Sequence, residues 1–114
     1  MKFGGIITPM ITPVKNNEID YYSLERLLNF LKESKVEGIF PGASTGAFSL
    51  FSYEKHKKLI EFSIEKYTGK GVILAGISRN DLEETISMGK FAEDSNADGV
   101  VIITPYYLIF HAML

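Results

Sequence analysis

The sequence lacks cysteine, long apolar runs and any strong excess of one charge. Without Cys, neither a disulfide framework nor a thiolate metal site is possible, which suits a cytoplasmic protein. The formal net charge is −2 and charges of both signs are interspersed, so nucleic acid is not an expected partner. Pro9 and Pro13 interrupt the apolar stretch near the N-terminus, and a membrane helix needs roughly 20 apolar residues. We therefore expect no targeting segment and no membrane partner.

Four short apolar runs predict four strands. They lack the polar alternation of a half-exposed strand, which favours strands buried on both faces of a parallel sheet. The runs are Phe3 to Ile7, Gly38 to Phe40, Val72 to Ala75 and Val100 to Ile103.

Three segments of helical period lie between these runs. The first places four leucines on one face, namely Leu24, Leu27, Leu28 and Leu31. The second is predicted to begin near Ser52 and to end before Gly69, with Leu59, Ile60 and Phe62 facing inward. The third is predicted to have Asn80 as its N-cap and to bury Leu82 and Ile86.

The resulting order is βαβαβαβ, which predicts an α/β domain with a parallel sheet covered by helices. Two architectures fit this order. A doubly wound fold closes at 114 residues, whereas a (β/α)8 barrel needs about 250 residues and would be present only in part. Length alone favours the doubly wound fold.

The segment from Gly42 to Gly46, with sequence GASTG, follows the second predicted strand and precedes a helix. Parallel sheets place their binding sites at such junctions. Two glycines permit a tight turn with converging N–H groups, and Ser44 and Thr45 add hydroxyl donors for a small carboxylate or phosphate. An ordinary turn of small residues explains the segment about equally well. It is neither a P-loop nor a GxGxxG motif.

Two further segments follow predicted strands. Thr104, Pro105, Tyr106 and Tyr107 would bring two phenols to the same edge of the sheet, where a phenol can transfer protons. The proline-fixed segment from Thr8 to Pro13 is expected to have a structural role.

The two histidines do not indicate a metal site. His56 lies among lysines on a helix face that we expect to be exposed, and neither it nor His111 has the ligand spacing that zinc requires. The carboxylates of the third helix are expected to be solvated, namely Glu83, Glu84, Glu93 and Asp94.

Taken together, these segments resemble one family. It is the dihydrodipicolinate synthase and N-acetylneuraminate lyase family, whose motifs occur here in the same order and spacing. They are GGIITP at the N-terminus with ITP at Ile11 to Pro13, STG at Ser44 to Gly46 with Leu50 and Glu54, Gly76, and TPYY at Thr104 to Tyr107. The resemblance covers nearly the whole chain. It implies that residues 1–114 form a single partial domain, the first half of a parallel (β/α)8 TIM barrel.

In that family a lysine on the sixth barrel strand forms a Schiff base with pyruvate or another 2-oxo acid, and no metal or other cofactor is required. Covalent capture by an amine makes the ketone an electron sink. The resemblance implies a carbon–carbon lyase whose partners are pyruvate and an aldehyde or sugar acid, in a parent enzyme that is a homo-oligomer. No lysine of this sequence matches the Schiff-base position, so the chain alone is expected to be inactive.

The resemblance also assigns roles to four residues. It implies that Ser44 and Thr45, with Gly46, bind the carboxylate of the keto acid. Ser44 would also stand in the catalytic proton relay, and Tyr107 would be the relay tyrosine.

One departure concerns the subfamily. Ala47 stands where synthases and sialic acid lyases usually have Glu, and archaeal 2-keto-3-deoxygluconate aldolases lack that Glu. We therefore expect cleavage of 2-keto-3-deoxy sugar acids, with dihydrodipicolinate (4-hydroxy-tetrahydrodipicolinate) synthesis as the alternative. A non-catalytic anion-binding module and a half that works only with a complementary half also remain open.

The apolar tail from Leu108 to Leu114 departs from the family and looks like a truncation or an altered reading frame.

Overall fold

A computed structural model describes residues 3–104. The main elements alternate along the chain: β1 (Ile7–Pro9), β2 (Val14–Lys15), β3 (Glu18–Ile19), α1 (Tyr21–Glu33), β4 (Gly38–Phe40), α2 (Tyr53–Tyr67), β5 (Val72–Gly76), α3 (Leu82–Asp94) and β6 (Gly99–Val101). Two single-turn 3-10 helices, Ser44–Gly46 and Phe48–Leu50, lie between β4 and α2.

The central sheet has four strands in the order β1-β4-β5-β6, and all three strand pairs are parallel. All four predicted strands are present, but β1 begins at Ile7 and not at Phe3. The backbone before it turns at Gly5, whose φ is +74°, and the Glu37 carboxylate accepts a hydrogen bond from the Ile6 N–H. The Ile6 carbonyl accepts the N–H groups of Glu37 and Gly38, but the regular pairing of β1 with β4 begins only at Ile7.

The sequence analysis missed a small antiparallel hairpin formed by β2 and β3. Asn16 and Asn17 form its two-residue turn, with φ values of 52° and 65°. Positive φ at both central positions is the geometry of tight hairpin turns, and Asn tolerates it better than most residues do. The hairpin leads directly to Asp20, whose carboxylate caps α1 by accepting the Ser23 N–H at 3.2 Å.

Helices α1 and α2 pack on the sheet much as predicted. Leu24, Leu28 and Leu31 of α1 are buried, and Leu27 is packed against the core. Helix α2 begins after Ser52, whose hydroxyl accepts the Lys55 N–H at 3.2 Å, and so confirms the predicted start. The buried residues of α2 include Leu59, Ile60, Ile64 and Tyr67.

Two predictions for α3 are wrong. The N-cap is Asp81, which accepts the Glu83 N–H at 2.9 Å, and not Asn80. Leu82 and Ile86 are exposed, whereas the residues that face the sheet are Thr85, Met88 and Ala92. The helix thus carries two neighbouring apolar stripes, and periodicity alone does not tell which one faces the sheet.

The second stripe lines a largely apolar groove of about 510 Å³ between α3 and β6. Leu82, Ile86, Val100 and Ile102 contribute to it. No helix among residues 3–104 is long and apolar enough to cross a membrane.

Candidate functional site

A second, smaller cavity of about 210 Å³ lies at the carboxyl ends of the parallel strands. Parallel α/β sheets bind their ligands at this edge. Pockets for drug-sized ligands run from about 300 to 1,000 Å³, so this cavity suits a smaller molecule. The cavity is lined by the last residues of the four parallel strands and by residues of the segments that follow β4, β5 and β6. These residues are Pro9, Phe40, Gly42, Ala43, Ser44, Thr45, Phe48, Gly76, Ser78, Val101 and Ile103.

The loop after β4 crosses closely over the end of β5. Gly42 has a φ of +77°, and a Cβ at this position would lie 2.6 Å from the Gly76 carbonyl oxygen. Glycine is therefore required at position 42 both for its backbone conformation and for the space beside Gly76. The crossing fixes where the following residues, including Ser44, leave the sheet.

The loop continues as a single 3-10 turn. The Gly46 N–H donates to the Ala43 carbonyl and the Ala47 N–H to the Ser44 carbonyl, each at 2.9 Å. Gly46 is buried, and a Cβ there would lie 2.8 Å from the Met10 carbonyl oxygen and 2.9 Å from Thr12 Oγ1. The segment after β1 thus supports the loop from below, as the structural role predicted for it requires.

Ser44 and Thr45 are exposed, and both line the cavity. Within residues 3–104, neither hydroxyl makes a hydrogen bond, and neither backbone N–H donates one. Hydroxyl and N–H groups that converge on a concave surface bind carboxylate or phosphate oxygens well. The structure brings Ser44, Thr45 and Gly46 together in one turn, as predicted.

His56 is buried, which contradicts its predicted exposure. Its Nε2 lies 2.7 Å from the Gly76 carbonyl oxygen, so Nε2 carries a proton and donates. A Cβ at Gly42 would lie 3.0 Å from the same nitrogen. The imidazole thus fixes the end of β5 directly behind the crossing with the loop after β4.

The other imidazole nitrogen, Nδ1, faces Arg79 at 3.5 Å. Arg79 is held in place because Nη1 donates to the Phe51 carbonyl at 2.8 Å and Nε donates to Glu84 Oε1 at 3.0 Å. Burial lowers the pKa of His56 to about 4, the Gly76 hydrogen bond opposes this shift, and the Arg79 charge adds to it. His56 is therefore neutral at pH 7, and Glu84 is paired with Arg79 although a solvated carboxylate was expected.

Ser78 is a second residue that the sequence analysis missed. It follows β5, is buried, and accepts the Ile103 N–H at 2.8 Å through its Oγ. Its position two residues after a strand, at the same sheet edge as Ser44, was the available signal.

Several expected groups cannot be placed at this cavity. Tyr106 and Tyr107 lie outside the described residues. No lysine is among the residues that line the cavity, and the described part of the chain contains no cluster of His, Asp and Glu that would hold a metal ion.

The model of the dihydrodipicolinate synthetase family matches residues 2–112. The chain belongs to this family. The 4-hydroxy-tetrahydrodipicolinate synthase of Methanococcus aeolicus is 44% identical over 103 residues, which cover 90% of this chain and 36% of the relative. The chain therefore spans about a third of the length of the curated relatives it matches.

Solved structures of the family superpose on most of the chain. YagE, a prophage protein of this family from Escherichia coli K12 solved in complex with pyruvate, is 32% identical with a TM-score of 0.88, covering 93% of this chain and 36% of that one. The 2-keto 3-deoxygluconate aldolase from Picrophilus torridus is 32% identical with a TM-score of 0.87, covering 94% and 39%. The fold is the N-terminal part of a TIM barrel, so the prediction of a partial barrel is confirmed and the doubly wound alternative is wrong.

Proposed function

We propose that the loop of Ser44 and Thr45 binds the carboxylate of pyruvate, and that the whole protein is a 4-hydroxy-tetrahydrodipicolinate synthase that works through a Schiff base. The observation that carries this proposal is that the hydroxyl and N–H groups of Ser44 and Thr45 line the cavity and donate no hydrogen bond within residues 3–104. The pyruvate complex of a family member and the names of the curated relatives support it.

The cavity favours a small anion for a second reason. Among residues 3–104, no charged side chain lines it, so within this part of the chain no carboxylate repels the ligand. Donors in a small, partly enclosed space hold a carboxylate through charge-assisted hydrogen bonds. The amine that captures the ketone must then come from outside residues 3–104, where the family resemblance places it.

The remaining roles are part of the same proposal. Ser44 passes a proton as well as binding the carboxylate, and Tyr107 is its partner in the relay. Gly46 keeps the turn compact. The whole protein is a homo-oligomer that combines pyruvate with an aldehyde and needs no metal or other cofactor.

Cleavage of a 2-keto-3-deoxy sugar acid, the main expectation from the sequence, becomes the second candidate. One observation still favours it: Ala47, which ends the Ser44–Gly46 turn in the left-handed region with φ 56°, stands where the synthases usually have Glu. The aldolase from Picrophilus torridus is a structural neighbour, but the curated relatives at 44% identity are named as synthases.

A chimera tests the proposal. In this chimera, residues 3–104 replace the matching segment of the Methanococcus aeolicus synthase. The assay measures the aldol condensation of pyruvate with the amino aldehyde that supplies the remaining carbon atoms of 4-hydroxy-tetrahydrodipicolinate. The chimera is expected to be active. Replacing Ser44 and Thr45 together by Ala removes two hydrogen bonds to a charged group and is expected to raise KM for pyruvate on the order of a hundredfold.

The matched control is Ser49→Ala, which removes an exposed hydroxyl from the same loop outside the cavity lining and is expected to leave KM unchanged. An unaltered KM in the double variant would refute carboxylate binding by this loop. A chimera that is inactive with Ala47 but active as Ala47→Glu would count against the synthase and in favour of the sugar acid aldolase.

A further inference from the structure

Ser78 occupies a central place in the candidate site. It lies two residues beyond β5, an inner strand of the sheet, and its side chain lines the same cavity as Ser44 and Thr45. Unlike those two residues it is almost fully buried, with 5% of its surface exposed. Among residues 3–104, these three hydroxyls are the only polar side-chain groups in the cavity lining.

The hydrogen bonding of Ser78 is half complete. Its Oγ accepts the Ile103 N–H at 2.8 Å, but its own proton has no acceptor among residues 3–104. A buried hydroxyl that leaves its donor unused loses free energy, so such groups nearly always have a partner. Because Ser78 lines the cavity, a ligand oxygen in the cavity is well placed to accept this proton.

We propose that Ser78 is a third substrate-binding hydroxyl, which donates its proton to the carboxylate of the bound 2-oxo acid. This inference rests on the proposed function of the Ser44 and Thr45 loop. A hydroxyl that accepts an N–H bond becomes a better donor, because hydrogen bonds in a chain polarise one another. The Ile103 N–H therefore strengthens the contact between Ser78 and the carboxylate.

The same hydroxyl links the ligand to the end of β6. Ile103 follows β6 and precedes Thr104, where the predicted relay segment with Tyr107 begins. A carboxylate bound to Ser78 stabilises the bond between Ser78 Oγ and the Ile103 N–H. Ser78 thus connects occupation of the carboxylate site with the backbone of Ile103 at the end of β6.

The experiment is a pyruvate titration of the 15N-labelled 114-residue chain, followed by NMR. In the wild type, the amide of Ile103 is expected to shift with the same apparent Kd as the amides of Ser44 and Thr45. Ser78→Ala is expected to weaken pyruvate binding about tenfold, the effect of losing one hydrogen bond to a charged acceptor. Ser78→Thr retains the hydroxyl and is expected to restore most of the affinity.

The matched control is Ser63→Ala, because Ser63 is also fully buried but lies on α2 away from the cavity. It is expected to leave the Kd unchanged. If Ser44 and Thr45 respond to pyruvate while Ile103 does not, or if Ser78→Ala binds as the wild type does, the inference is overturned and the proposed function stands. If no amide of the wild type responds, both are overturned.

The wild-type titration keeps the inference testable even if Ser78→Ala does not fold. A role in stability alone would lower the melting temperature of Ser78→Ala without coupling the Ile103 amide to pyruvate. The two roles therefore give different results in the wild type.

Discussion

Buried His56 predicts how the stability of the chain depends on pH. The imidazole donates from Nε2 to the Gly76 carbonyl and faces the Arg79 guanidinium, so protonation would add a buried charge beside a cation. The pKa of His56 is lowered to about 4 in the folded chain, whereas an unfolded chain has the ordinary value of 6.5. The unfolded state therefore binds the proton more readily, and acidification favours unfolding.

The magnitude follows from the two pKa values. A difference of about 2.5 between folded and unfolded chains corresponds to about 3 kcal/mol at about 1.4 kcal/mol per pH unit. This contribution is fully present above about pH 6.5 and is lost progressively as the pH falls to about 4. Between about pH 7 and about pH 5, the free energy of unfolding is expected to fall by about 2 kcal/mol from His56 alone.

Urea unfolding of the wild type and of His56→Gln between about pH 4 and about pH 7 measures this term. Gln keeps an N–H donor for the Gly76 carbonyl but does not titrate, and the contribution of His111 cancels because both chains contain it. Hydrogen bonds from Ser23 lower the pKa of the Asp20 carboxyl from its ordinary value, and its contribution cancels because both chains contain it. Parallel curves for the two chains, or an NMR titration of His56 near 6.5, would refute the reasoning.

Two further substitutions test the local geometry. Gly42→Ala places a methyl group 2.6 Å from the Gly76 carbonyl oxygen at a φ of +77°, and it is expected to lower the free energy of unfolding by about 2 kcal/mol or more in urea unfolding. A loss no larger than that of Gly69→Ala, which has a similar φ but open space around it, would refute the close crossing. Ser52→Ala removes the N-cap of α2 and is expected to cost about 1 kcal/mol, whereas the exposed Ser49→Ala should cost nothing measurable.

The sequence predicted those parts of the fold that depend on simple patterns. The run Gly38–Phe40 coincides with β4, because a short apolar run between two helices of an α/β chain is typical of a strand buried in a parallel sheet. Ser52 marked the start of α2, because a hydroxyl before a helical pattern satisfies a free N–H group. The prediction of Ser44, Thr45 and Gly46 as a turn at a sheet edge needed only the order of the elements.

The sequence analysis failed where residue type and position pointed in different directions. His56 lies on the same helical face as Leu59, Ile60 and Ser63, all buried, so helical periodicity favoured the core although the prediction was exposure. Neighbouring lysines suggested exposure instead. Its partner, the Gly76 carbonyl, is 20 residues away in sequence, and no local sequence pattern predicts such a hydrogen bond.

The two missed residues bear on the site from opposite directions. Outside the cavity, His56 donates a hydrogen bond to the Gly76 carbonyl where Gly42 crosses β5. At the cavity wall, Ser78 accepts the Ile103 N–H. These bonds fix the ends of three neighbouring strands relative to one another without using the hydroxyls of Ser44 or Thr45. Under the proposed function, the donors for the carboxylate are therefore arranged before any ligand arrives, and binding costs little conformational entropy. No lysine among residues 3–104 lines this cavity, so under the proposed function recognition of the acid and covalent capture of its ketone are carried by different parts of the whole protein.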